Sequence, residues 1–168
     1  MVQMTLTTWD DGLCRILEPN VCPTSARLKA LRAFQQASVP TVVWLCPILP
    51  FLNDTAENLS GILQGCAEAG VKGIVYFGAG VTLREGSREY FYAQLDRHFP
   101  GLKERYIRTY GDAYELLSPA DRELSPLFHT FCEEHGMLHR PEEVFRFLHT
   151  LREEAPVGEQ MSLLDGLG

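Results

Sequence analysis

No pair of cysteines in this sequence stands at C-x-x-C spacing. The five, Cys14, Cys22, Cys46, Cys66 and Cys132, are scattered and odd in number, which argues against a closed zinc site built from cysteine alone. They read as small buried hydrophobes of a reducing compartment. Cys46 stands apart because it ends an apolar run beside a proline loop. No apolar run approaches the roughly 20 residues of a membrane span. No basic stretch followed by a long apolar one opens the chain, so a signal peptide is not expected. The expected compartment is the cytoplasm, by elimination. Positive charge is short: Lys and Arg number 15 against 22 Asp and Glu, for a net charge of −7. That disfavours a stand-alone binder of nucleic-acid backbone. A phosphate loop, a dinucleotide glycine fingerprint and a G-x-S-x-G elbow are all missing.

What is present is a pattern of strands and helices. Residues 2–8 alternate apolar and polar and are rich in β-formers. Asp10 and Asp11 can cap a short helical turn to Leu17, and Thr24 or Ser25 can cap a helix to about Ala37. Residues 41–46, Thr-Val-Val-Trp-Leu-Cys, form a near-continuous apolar run, which predicts a strand covered on both faces, as in parallel sheets. The loop Pro47-Ile48-Leu49-Pro50-Phe51-Leu52-Asn53-Asp54 follows. Asp54 and Glu57 have capping-box spacing at the next helix, which ends at Gly70. A third strand is expected over 73–77, then a glycine-bearing loop at 78–80.

Residues 2 to about 99 therefore read as three βα units with parallel strands. The rest reads as helices: 88–98, 102–110, one opened by Ser118-Pro119 and kinked or restarted at Pro126, and one from Arg140-Pro141. In α/β folds ligands bind at the carboxyl ends of strands, so the three strand-to-helix loops are expected to line one pocket. The strand from Val2 to Thr8 is expected to be an exposed edge or to lack an upstream neighbour.

Several stretches resemble one family. Thr7-Thr8-Trp9-Asp10 with Leu17-Glu18-Pro19, then Arg27-Leu28, Pro47-Ile48-Leu49-Pro50, Leu52-Asn53-Asp54, the helix end Ala67-Glu68-Ala69-Gly70, and Arg140-Pro141-Glu142-Glu143-Val144-Phe145 are similar to radical S-adenosylmethionine proteins of the spore photoproduct lyase type, the DNA repair photolyase group. The resemblance implies a partial (βα)6 barrel in which a C-x-x-x-C-x-x-C loop holds a [4Fe–4S] cluster. This sequence has no such triplet. The expected fold is thus α/β, a partial (βα) barrel fragment of three parallel units over residues 1–115, a helical extension over 116–152 and a flexible tail over 153–168. The strand from Val2 would correspond to the family's fourth strand. S-adenosylmethionine and the cluster are expected in a full-length parent; neither is expected to bind this portion stably, and the portion is expected to be inactive alone.

The resemblance also implies residue roles. Thr5 and Thr7 match fourth-strand positions near the ribose and methionine, and packing threonines are the plainer alternative. Arg27 matches a place where the family can put a carboxylate-binding cation. The family's G-x-I-x-G-x-x-E frame falls here on Pro47, Leu49, Phe51 and Asp54. Phe51 in place of glycine is a departure, whose ring either stacks on adenine or blocks it. Asp54 alternatively serves only as the helix cap. Val75, Tyr76 and Phe77 fall on the sixth strand, where Tyr76 is the candidate contact to adenine.

Gln160-Met161-Ser162-Leu163-Leu164 resembles the short peptides that hold the bacterial sliding clamp. Gln160 would hydrogen-bond at the groove, and Leu163 and Leu164 would fill its pocket. Other partner expectations are a missing N-terminal half, or self-association through the edge from Val2 to Thr8. DNA stays open: Arg84, Arg88, Arg97, Lys103, Arg105 and Arg108 make a basic strip diluted by acids, alternatively a solvated helix surface. His135 and His139 have i, i+4 spacing, but Gly136 between them argues for a loop. The alternative function is a non-catalytic α/β interaction module docking on a clamp or an N-terminal partner chain. A doubly wound nucleotide binder is a weaker third reading.

Overall fold

The apolar run at 41–46 lies at the centre of the sheet because both its faces are covered. The computed structural model describes residues 1–153. In chain order the elements are β1 (Val2–Thr5), α1 (Asp11–Leu17), α2 (Thr24–Gln36), β2 (Thr41–Trp44), α3 (Ala56–Glu68), β3 (Gly73–Val75), β4 (Gly80–Thr82), α4 (Ser87–His98), α5 (Leu102–Tyr110), β5 (Glu115–Leu117), α6 (Asp121–Glu134) and α7 (Pro141–Glu153). β1, β2 and β3 form a parallel sheet in that order, with Thr5 opposite Trp44 and Trp44 opposite Val75. The chain is α/β.

Alternation sorts the strand residues onto two faces. Met4, Leu6, Val43, Leu45, Ile74 and Tyr76 point to one. They meet Leu28, Leu31, Ile62, Leu63, Phe128 and Cys132 of α2, α3 and α6 in the main core. Val42 and Val75 point to the other, where Val144 of α7 covers them and Phe145 meets Trp44 edge-on at 6.0 Å. The far side of β3 is closed by Leu138, which accepts from Ile74 N at 2.8 Å and donates to the Lys72 carbonyl at 3.0 Å. β1 pairs with β2 alone among the described residues, and Gln3 and Thr5 are exposed.

Helix ends follow local chemistry, with some departures from expectation. Asp10 caps α1 by accepting from Leu13 N. α2 has no side-chain cap, because Pro23 occupies the N-cap position and Thr24 spends its hydroxyl on the Thr8 carbonyl. The cap of α3 is Thr55, not Asp54: its hydroxyl accepts from Asn58 N at 3.1 Å. Ser118 does not cap α6, whose N-cap is Ala120, and α6 runs unbroken through Pro126.

The largest departure lies between residues 80 and 117. A loop followed by helices was expected; β4 and β5 instead form an antiparallel ribbon that brackets α4 and α5. This unit has its own core of Leu83, Leu95, Tyr106 and Leu116, joined by Phe51 and Phe91. The expected boundary at 115/116 falls inside β5, and α6 beyond it shares the main core. No helix among the described residues is long and apolar enough to cross a membrane.

Candidate functional site

The loops after β1, β2 and β3 all leave the carboxyl edge of the sheet, and two buried amides join the first two. Asn53, 2% exposed, donates through Nδ2 to the Thr7 carbonyl at 2.9 Å and to Thr8 Oγ1 at 3.2 Å. Its Oδ1 accepts from Leu49 N at 2.6 Å. Asn58 donates to the Thr7 carbonyl at 2.9 Å and the Asn53 carbonyl at 2.8 Å, and accepts from Trp9 N at 2.6 Å. Every polar atom of both amide groups is thus engaged, as burial demands. Trp9 then lies against α3: a Cβ built on Gly61 would come within 2.5 Å of its indole. Sequence reasoning missed this lock. An asparagine three residues into a helix, preceded by another in the loop, was its only signal.

Thr5, Thr7 and Arg27 are brought together. Thr7 Oγ1 donates to Glu18 Oε1 at 2.8 Å, and Arg27 Nη1 pairs with Glu18 Oε2 at 2.9 Å. The same nitrogen donates to the Thr5 carbonyl at 2.7 Å, and Nη2 reaches Cys14 Sγ at 3.0 Å. The Arg27 charge is therefore already matched by Glu18. It does not stand free for a ligand carboxylate, because the side chain is buried against Glu18.

The other four candidates go elsewhere. The Leu49 side chain lines an apolar cavity of about 110 Å³ with Ile16, Leu52, Phe91 and Leu95. Asp54 accepts from the Ser118 hydroxyl and so ties the second loop to the start of α6. Phe51 offers no free platform for adenine: Arg105 sits 3.8 Å over its ring and Tyr106 meets it edge-on at 5.4 Å. Its backbone, at φ 65, lies in the left-handed region that glycine favours. Tyr106 also donates its hydroxyl to the Pro50 carbonyl. Tyr76 points into the core, 4.7 Å from Phe128, and donates to Asp121 Oδ1 at 2.9 Å. Burial, reinforced by the Asp121 carboxylate, pushes its phenol above the ordinary range. Alternation explains the exchange: with Tyr76 turned inward, Phe77 turns out and is 60% exposed.

Phe77 opens onto a cleft of the rim. This cleft measures about 410 Å³ and lies between the loops after β2 and β3, with Cys46 and Pro47 on one side and the β4–β5 ribbon on the other. Cys46 is half-buried, and burial raises its thiol pKa.

The basic strip is largely consumed by structure. Arg88 donates to the carbonyl of Ala113 at 2.5 Å and of Gly111 at 3.3 Å. Arg84 binds Tyr114 Oη at 3.3 Å, Lys103 binds Asp96 at 2.7 Å, and Arg105 covers Phe51. His135 stacks on Phe131 at 3.9 Å while His139 turns to His129 at 5.2 Å, so the two do not share a site. Among the described residues no group of three or more His, Cys, Asp or Glu is placed to hold a metal ion. Gln160, Leu163 and Leu164 lie outside the described residues.

No family model matches the chain, and no solved structure matches it. It is similar to the uncharacterised proteins Mb2609c of Mycobacterium bovis and Rv2578c of Mycobacterium tuberculosis, each 33% identical over 123 residues, or 73% of this chain. The chain spans about a third, 35%, of the length of these relatives.

Proposed function

We propose that this chain is the carboxyl-terminal portion of a radical S-adenosylmethionine protein of the spore photoproduct lyase type, and that its rim cleft forms the adenosine end of the cofactor pocket. In this reading β1, β2 and β3 are neighbouring staves of a partial (βα) barrel. The observation that carries it is the cleft at the carboxyl ends of β2 and β3, where α/β proteins bind ligands. A second observation supports the frame: Phe51 holds a glycine-like φ of 65 at the position where the family motif has glycine. The open side of β1 leaves an edge for another stave, and the longer relatives have length to provide one.

The residues fit the two parts of the cofactor system unequally. The exposed Phe77 ring, Pro47 and the backbone at Gly78 suit a flat heterocycle. Arg27, committed to Glu18, does not suit the methionine carboxylate. The described residues do not fit a [4Fe–4S] cluster, so in this reading the cluster would be held outside them. The role left to this chain is to bind and orient the nucleoside and to exclude water from it.

Two-dimensional amide NMR of the chain titrated with adenosine tests the reading. Weak saturable binding is expected, with Kd on the order of 1 mM and shifts centred on Phe77, Gly78 and Thr82. Phe77→Ala should weaken it about tenfold, as loss of one stacking ring does. Absence of saturable binding would overturn it.

A further inference from the structure

The outer wall of the rim cleft is the β4–β5 ribbon, and its two faces differ. Register places Gly80 opposite Leu117, Val81 opposite Leu116 and Thr82 opposite Glu115. Leu116 is fully buried and Val81 packs with it in the aromatic core. The alternate residues, Gly80, Thr82, Glu115 and Leu117, line the cleft, and Val81 also contributes to its lining. Gly80 is required by close approach: a Cβ there would lie 2.8 Å from the Leu116 carbonyl and 3.2 Å from the Leu117 side chain. Its absence lets Leu117 fold over the inner end of the wall. The result is a mixed surface, apolar at Phe77 and Leu117 and polar at Thr82 and Glu115, all four exposed.

The wall is also held in place. Ser118 N donates to the Ala79 carbonyl at 2.8 Å, Ala79 N donates to Asp121 Oδ1 at 2.6 Å, and Leu83 N donates to the Tyr114 carbonyl at 2.9 Å. These bonds tie the ribbon to α6 at one end and close it at the other. A carboxylate on an otherwise largely apolar cleft wall discriminates by hydrogen-bond sign. It accepts from an exocyclic amino group and repels a carbonyl oxygen.

We infer that Glu115, with Thr82 opposite it, is the specificity-determining pair of this cleft and selects a planar heterocycle carrying an exocyclic amino group over one carrying a carbonyl at the same place. The inference rests on the adenosine reading above, and it assigns a residue that neither the motif frame nor the strand-end loops contain. Among the described residues Glu115 is the only carboxylate lining the cleft, and the apolar Phe77, Pro47 and Leu117 beside it distinguish this site from a mere attractor of cations.

The test compares adenosine with inosine, which differ by amino against carbonyl, in NMR titrations of the wild-type chain and of Glu115→Gln. The wild type should bind adenosine about tenfold more tightly than inosine, the effect of one hydrogen bond to a charged group. Glu115→Gln can donate as well as accept, so its preference should collapse to within about twofold. The same spectra report whether the variant is folded, and a Thr82→Val variant should give an intermediate ratio. Adenosine binding with Phe77 shifts but an unchanged ratio in Glu115→Gln would overturn the inference and leave the adenosine reading standing. Failure of both nucleosides to bind would overturn both.

Discussion

The rim of the parallel sheet is fastened by amides, the ribbon unit by rings. At the rim, Asn53 and Asn58 place directional bonds on Thr7, Thr8, Trp9 and Leu49. In the ribbon unit, Phe51, Phe91, Tyr106 and Tyr110 meet at centroid separations of 5.2–6.0 Å. A buried amide tolerates little change, because each lost partner leaves a desolvated group behind. An aromatic cluster can shift and keep most of its contacts. The two regions should therefore respond differently to comparable damage.

The largest loss is expected at the sheet. Phe128→Ala removes a fully buried ring from the main core and should destabilise the chain by about 3–5 kcal/mol in urea unfolding. Next comes the amide lock. Asn58→Leu strands the Trp9 amide and the Asn53 carbonyl and weakens the Thr7 link, for a loss of about 3 kcal/mol. Tyr106→Phe removes one hydroxyl bond to Pro50 and should cost about 1 kcal/mol. Amide exchange should then quicken in α4 and α5 while α3 keeps its protection. Equal quickening in α3 would show that the two regions are one cooperative unit and break the comparison. Arg105→Ala, which uncovers Phe51, should cost no more than about 1 kcal/mol.

A titration sharpens the contrast and leaves neutral pH untouched. Burial pushes the thiols of Cys66 and Cys132 from 9.0 up to about 12, with Glu133 adding to the second. The folded chain keeps these protons where the unfolded chain releases them, so stability is whole below about pH 9 and falls as pH rises towards 12. Unfolding midpoints measured across that window should decline, less steeply in Cys66→Ala, and acid should not reproduce the effect. Both cysteines lie in the sheet-side core, so the ribbon core should not contribute through thiols.

Period explains what was legible. The apolar run at 41–46 and the helical spacing of Leu59, Ile62, Leu63 and Cys66 carry their own signal, and β2 and α3 appear where that signal puts them. β4 and β5 are three residues each, too short for alternation to register, and they are separated by two helices, so nothing local announces their pairing. The candidate site divides in the same way. Thr7 and Arg27 converge on Glu18, and Thr5 joins them only through its carbonyl. Tyr76 turns inward and Phe77 outward, and a run with both faces buried does not say which residue does so. Asp54 and Phe51 were claimed by partners far along the chain, Ser118 and Arg105, that no short window contains.

Trp9 rests on a glycine of α3 while its amide is gripped by Asn58, and the residue remains 42% exposed. The molecule therefore carries a built-in optical probe at its rim: whatever loosens that grip should move the emission maximum. Gly61→Ala, which evicts the indole from its seat, marks the far end of that scale.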